Sequence, residues 1–77
     1  MFDLVVSIIA DYQGIPGGRI RPDSRLVNDL GLSSFDVVSL VGRFEDAFDV
    51  EVPDRQIKTM QTVNDVVLLL QALTSGQ

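Results

Sequence analysis

The alternation of apolar and polar residues along the chain predicts four helices and one long loop. Apolar residues recur at helical spacing in residues 2–13, 34–48 and 62–73. A short helix at 54–59 follows a break in the pattern at Pro53. The first of these helices places four side chains on one face: Val5, Ile8, Ile9 and Tyr12. We therefore predict a small all-α bundle of three main helices and one short helix.

The second predicted helix has the clearest core-facing pattern. One buried stripe is predicted for Val37, Leu40, Val41, Phe44, Ala47 and Phe48. The connection before this helix is unusually long for so small a domain, so we expect it to pack on the bundle. Its expected anchors are Ile15, Ile20, Leu26, Val27, Leu30 and Leu32. Residues 74–77 are expected to form a frayed tail.

Two helix starts carry a capping signal. Ser33 with Asp36, and Thr62 with Asp65, have the spacing of a capping box. A cap requires only one serine, so the pair Ser33–Ser34 leaves one hydroxyl available at the start of the second helix. A phosphate is favoured there because a helix start offers N–H groups and the positive end of the helix dipole. The spacing leaves open which serine is the cap.

Two apolar residues of the second helix lie off its buried stripe. Phe35 falls nearly opposite the stripe and Val38 about a third of a turn away. Asp46 and Asp49 share this outer half, and Glu45 borders it. Apolar side chains within an acidic rim are typical of a docking patch. In the alternative interpretation, Phe35 packs under the long loop.

Composition narrows the possible functions. The 77 residues fit one domain, 1–77, and they include no Cys or His, which excludes thiolate metal sites and the usual catalytic base. A net charge of −5 disfavours binding to nucleic acid, whose phosphates are also negative. No apolar run is long enough to span a membrane. The chain lacks the base that a serine hydrolase needs, which excludes that class of enzyme. Its acidic residues do not have the spacing of a calcium-binding loop. We expect a soluble, cytoplasmic, monomeric protein that is not an enzyme.

Three motifs, in this order, resemble those of the acyl carrier protein family. Residues 30–35, Leu-Gly-Leu-Ser-Ser-Phe, are similar to the L-G-x-D-S-L motif of that family. Residues 44–54 are similar to the E-x-x-F-x-x-x-I-P-D segment that ends the family's second helix. Residues 62–67 resemble its T-V-x-D-x-V opening of the last helix. The likeness extends from about residue 2 to 73 and implies the acyl-carrier bundle.

The resemblance implies that Ser34 carries a 4′-phosphopantetheine arm through a phosphodiester. A phosphopantetheinyl transferase supplies such an arm from coenzyme A with Mg²⁺, and its thiol holds acyl groups as thioesters for fatty-acid, polyketide or related biosynthesis. The implied partners are this transferase and acyl-transferring or acyl-activating enzymes with basic docking patches. By the same resemblance, Phe35 and Val38 fill an apolar pocket on the partner. The carboxylates expected to meet its Lys or Arg side chains are Asp36, Glu45, Asp46 and Asp49.

The chain departs from the family pattern at several positions near this site. Ser33 stands where Asp is usual, and Phe35 replaces the common Leu. Ser39 and Gly42 replace a frequent acid and a larger apolar residue. These differences favour a specialised carrier over a general one. Two alternatives are an aminoacyl or peptidyl carrier, and an unmodified carrier-like interaction module in which Ser34 only caps the helix.

Overall fold

The computed structural model describes residues 1–75, which form four α-helices. Their bounds are α1 Phe2–Gln13, α2 Ser34–Phe48, α3 Asp54–Ile57 and α4 Val63–Ser75. The predicted all-α architecture is confirmed. The only β pairing in the described backbone is one isolated antiparallel bridge between Arg25 and Thr62. A short 3-10 turn at Gly17–Arg19 lies in the loop between α1 and α2. No helix in the described range is long and apolar enough to cross a membrane.

The core lies where α1 packs against α2 and α4. Its buried helix residues are Val5, Ile9, Leu40, Val41, Phe44, Val63, Val66, Val67 and Leu70. Three loop residues predicted as anchors, Ile20, Leu26 and Leu32, close the core from the side. Burying one such aliphatic side chain contributes about 1.5–3 kcal/mol, so these contacts hold the bundle together.

Two residues predicted to be buried are exposed. Ala47 lies at the edge of the α2 stripe, and its single methyl group does not reach the core. Val27 is 54% exposed because the backbone fixes its neighbour Leu26 inward. The Leu26 N–H donates to the Gln61 carbonyl at 2.9 Å, and the Leu26 carbonyl accepts from Leu32 at 3.0 Å. The side chain that follows Leu26 therefore points to solvent.

The bounds of α1 and α2 match the predicted ones, but those of α3 and α4 differ. α3 ends at Ile57, not at residue 59 as predicted. After the end of α3, the Thr59 hydroxyl donates to the Gln56 carbonyl at 2.7 Å. α4 begins one residue later than predicted and extends to Ser75. α4 includes Thr74 and Ser75, so the predicted frayed tail was wrong for these two residues. The Thr74 hydroxyl also donates to the Leu70 carbonyl at 2.8 Å. Residues 76–77 lie outside the described residues.

The long loop is bonded to the start of α4. The first N–H groups of a helix have no partner within the helix. Val63 N–H donates to the Ser24 carbonyl at 3.0 Å, and Asn64 N–H donates to the Pro22 carbonyl at 2.8 Å. The predicted capping box adds the bonds between Thr62 and Asp65, at 3.0 and 3.1 Å. The loop therefore forms part of the cap of α4.

Two leucines of α4 provide a matched test of the core. Leu70 is 1% exposed and Leu68 is 54% exposed. We expect Leu70→Ala to lower the free energy of unfolding by about 3 kcal/mol, because it leaves a cavity. Leu68→Ala should change it by less than about 0.5 kcal/mol. Urea unfolding measures both, and equal losses in the two variants would contradict this packing.

Candidate functional site

The two adjacent serines at the start of α2 have different roles. Ser33 is the N-cap, and its hydroxyl accepts from the Asp36 N–H at 3.1 Å. In return, the Ser33 N–H donates to Asp36 Oδ2 at 2.9 Å, which completes the predicted capping box. Ser34 is the first residue of the helix, and its side chain is exposed and takes no part in this cap. The hydroxyl left available is therefore that of Ser34.

Asp36 links this helix start to α1. The Tyr12 hydroxyl donates to Asp36 Oδ1 at 2.8 Å, while Oδ2 accepts from Ser33. The Arg43 guanidinium carbon lies 5.1 Å from the centroid of the Tyr12 ring, within the range of a cation–π contact. From the sequence, Asp36 was predicted both to cap α2 and to bind a partner, and Tyr12 was predicted only as a core residue. The structure shows that both Asp36 oxygens already accept hydrogen bonds within the chain.

These bonds change the acidity of both groups. The Ser33 backbone N–H, followed by the hydroxyls of Tyr12 and Ser33, holds the pKa of Asp36 below its usual value of 3.8. The bond to Asp36 is also the main cause that raises the pKa of Tyr12 above 10.0, followed by desolvation. The carboxylate is thus held in its charged form at the start of α2, where the helix dipole favours a negative charge.

Ser34 lies at the rim of an apolar groove between α2, α3 and the long loop. The groove has a volume of about 690 Å³. Its walls are five apolar and three polar residues: Val27, Val37, Val38, Ile57, Met60, Ser34, Asp54 and Lys58. The sequence pattern did not reveal that Val27 and Lys58 line the same groove as Ser34. Their positions depend on how the loop and the end of α3 pack beside α2.

The outer face of α2 is exposed as the sequence predicted. Phe35 is 75% exposed and Val38 is 57% exposed, so Phe35 does not pack under the loop. Asp46 and Asp49 are exposed at the opposite, C-terminal end of α2. Glu45 is half-buried, and its carboxylate accepts from the Val52 N–H at 2.8 Å. The docking roles assigned to these residues remain predictions.

Comparison with known proteins decides the family. The family described as phosphopantetheine attachment site matches residues 3–70. The acyl carrier protein of Akkermansia muciniphila is 42% identical over 67 residues, which cover 87% of this chain and 84% of that protein. The acyl carrier protein of Clostridium acetobutylicum is 39% identical over 74 residues, or 96% of each chain. This chain belongs to the acyl carrier protein family.

A solved member of the acyl carrier protein family has the same fold. The crystal structure of an acyl carrier protein from Thermotoga maritima superposes with a TM-score of 0.84, covering 96% of this chain and 86% of that one. The sequence identity is 24%, so this likeness concerns the fold alone. As a member of the acyl carrier protein family, the chain is a carrier, not an enzyme, and its cofactor is covalently bound 4′-phosphopantetheine.

The residues at the start of α2 fit this cofactor. Attachment needs an accessible hydroxyl, and Ser34 has one that the cap does not use. The start of the helix favours a phosphate through its backbone N–H groups and dipole. The adjoining groove offers apolar walls to the arm beyond the phosphate. Cap, hydroxyl and groove therefore suit a group that is charged at one end and less polar along its length.

The lowered pKa of Asp36 predicts how stability depends on pH. The folded-state pKa lies below the unfolded value of 3.8, so the carboxylate stabilises the fold above that value. This contribution is lost as the pH falls through the folded pKa. We expect Asp36→Asn to be less stable than the wild type at about pH 6, and the gap to narrow towards about pH 2.5. Tyr12→Phe should show a smaller loss of stability at about pH 6, since it removes only the Tyr12 bond to Asp36.

Thermal unfolding at a series of pH values measures these gaps. A gap between the wild type and Asp36→Asn that stays constant down to about pH 2.5 would contradict the assignment of Asp36 as a charged cap.

Proposed function

We propose that this chain carries acyl groups as thioesters on a 4′-phosphopantetheine arm attached to the Ser34 hydroxyl. The observation that supports this most strongly is the separation of roles in the serine pair. Ser33 makes the cap bonds, whereas Ser34 is exposed outside them and borders the groove. When bound, the arm supplies the thiol that the cysteine-free chain lacks.

The attachment step needs little from the chain itself. The Ser34 oxygen forms a bond to phosphorus as the pyrophosphate link of coenzyme A breaks, and the nucleotide half leaves. The hydroxyl proton goes to a base on the transferase, because this chain has no His to accept it. The contribution of the chain is to hold Ser34 at a fixed and accessible helix start. Ser33, Asp36 and Tyr12 provide that rigidity.

The docking face is proposed to be the outer side of α2. Phe35 and Val38 would enter an apolar pocket on the partner enzyme, and the surrounding carboxylates would meet its Lys or Arg side chains. Asp46 and Asp49 are the more exposed of these carboxylates, whereas Asp36 and Glu45 already bond within the chain. Exposed ion pairs contribute about 0–1 kcal/mol each. Contacts this weak allow the carrier to leave each enzyme after one step.

The partner enzymes proposed for this chain are a phosphopantetheinyl transferase and enzymes that load or transfer acyl groups. We propose fatty-acid, polyketide or related acyl transfer as the setting. The replacement of the usual Asp by Ser33 and of the usual Leu by Phe35 supports a dedicated pathway with its own partners. A single cytoplasmic domain acting as a monomer remains part of the proposal.

The attachment site is tested by intact mass. After incubation with coenzyme A, Mg²⁺ and a broad-specificity phosphopantetheinyl transferase, we expect the wild type to gain one arm and Ser34→Ala to gain none. Ser33→Asp is the matched control, since Asp also caps helices but has no hydroxyl, and it should gain one arm. An unchanged wild-type mass under conditions that modify another carrier would favour the unmodified interaction module instead.

The docking face is tested with two phenylalanines of α2. Phe35 is 75% exposed and Phe44 is 3% exposed. We expect Phe35→Ala to raise the transferase KM, because it removes the apolar contact, while the melting temperature stays nearly unchanged. Phe44→Ala should instead cost about 3–5 kcal/mol of stability. A wild-type KM for a folded Phe35→Ala variant would overturn the assignment of Phe35 to this face.

A further inference from the structure

The groove beside Ser34 has a single cationic side chain on its walls. Among the residues that line it, Lys58 is basic, Asp54 is acidic and Ser34 is the proposed attachment residue. Lys58 is exposed at the C-cap of α3, and it is the only lysine of the chain. Its position therefore brings a flexible ammonium group to the same groove as the Ser34 hydroxyl.

The arginines of α2 and α3 do not line the groove. Arg43 stands over the Tyr12 ring, and Arg55 belongs to α3 but does not line the groove. The Asp36 carboxylate accepts bonds from Tyr12 and Ser33. Asp54, four residues before Lys58, is the carboxylate that shares the groove with it. A second anion introduced at Ser34 would meet Lys58 as the cation on its wall.

We propose that Lys58 binds the phosphate of the arm on Ser34 and holds the first part of the arm along the groove. This inference rests on the proposed attachment at Ser34. A phosphodiester at Ser34 adds one negative charge to a chain whose net charge is already −5, in a groove that Asp54 also lines. A lysine ammonium binds phosphate as a point charge with three donors, and its stem is long enough to follow an anion at the groove rim.

The pairing has a consequence for the arm. A phosphate held by Lys58 directs the arm towards the apolar walls formed by Val37, Val38 and Ile57. Without this cation, Asp54 would be the one charged side chain left among the residues that line the groove. Because Lys58 is exposed, the pairing is screened by salt. Lys58 is thus a positioning residue for the arm, acting at the phosphate and not at the thioester.

The phosphorus nucleus of the attached arm reports this contact directly. Wild type, Lys58→Gln, Lys58→Arg and Arg55→Gln are each converted to the arm-bearing form, and intact mass with peptide mapping confirms one arm at Ser34. Phosphorus NMR spectra are then recorded at about 50 mM and about 500 mM NaCl. Arg55→Gln is the matched control, since it removes one positive charge from the same short helix but not from the groove.

We expect a salt-dependent phosphorus shift in the wild type and in Arg55→Gln, its loss in Lys58→Gln, and its return in Lys58→Arg. Lys58 is exposed, so circular dichroism should show all four proteins folded. The same salt dependence in Lys58→Gln and Arg55→Gln, with the arm present on Ser34, would overturn the role of Lys58 but leave the proposed function intact. Absence of the arm from Ser34 in the wild type would overturn both.

Discussion

The cap of α2 is the interaction on which the site depends. The first N–H groups of this helix need acceptors, and the reciprocal bonds between Ser33 and Asp36 satisfy two backbone donors. Tyr12 fixes the same carboxylate from α1, so the helix start is tied to the core helix beside it. Ser34 then occupies the first turn with its hydroxyl outside every one of these bonds. Ser33 thus makes the helix start rigid, and its neighbour Ser34 keeps an accessible hydroxyl there.

Beyond this cap, α2 has three faces, which contact the core, solvent and the groove beside Ser34. Leu40, Val41 and Phe44 face the core, and Phe35 faces solvent on the opposite side. Val38 is shared between the exposed face and the groove beside Ser34. A partner that covers the outer face would therefore also touch the groove beside Ser34, where we propose that the arm is attached. In this proposal, the partner enzyme binds the carrier and reaches its cargo on the same helix.

Local signals in the sequence were enough for the helices and for the family, but not for contacts between distant segments. Apolar residues at helical spacing predicted α1, and a capping box predicted the start of α2, because these signals act within a few residues. The exposure of Val27 and the helical state of Thr74 depend on hydrogen bonds to carbonyls that the apolar pattern does not report. The bond from Tyr12 to Asp36 joins residues 24 positions apart, and Lys58 reaches the groove only through the packing of α3.

The carbonyls of Pro22 and Ser24 join the long loop to the first turn of α4 through two hydrogen bonds. A fluctuation that lifts this part of the loop also removes acceptors from two helix N–H groups, so neither segment can open alone at low cost. Although the loop has little regular structure, its amide protons near residue 26 should share the slow exchange of the bundle. The long loop therefore braces the first turn of α4, although the sequence pattern alone gives it no such role.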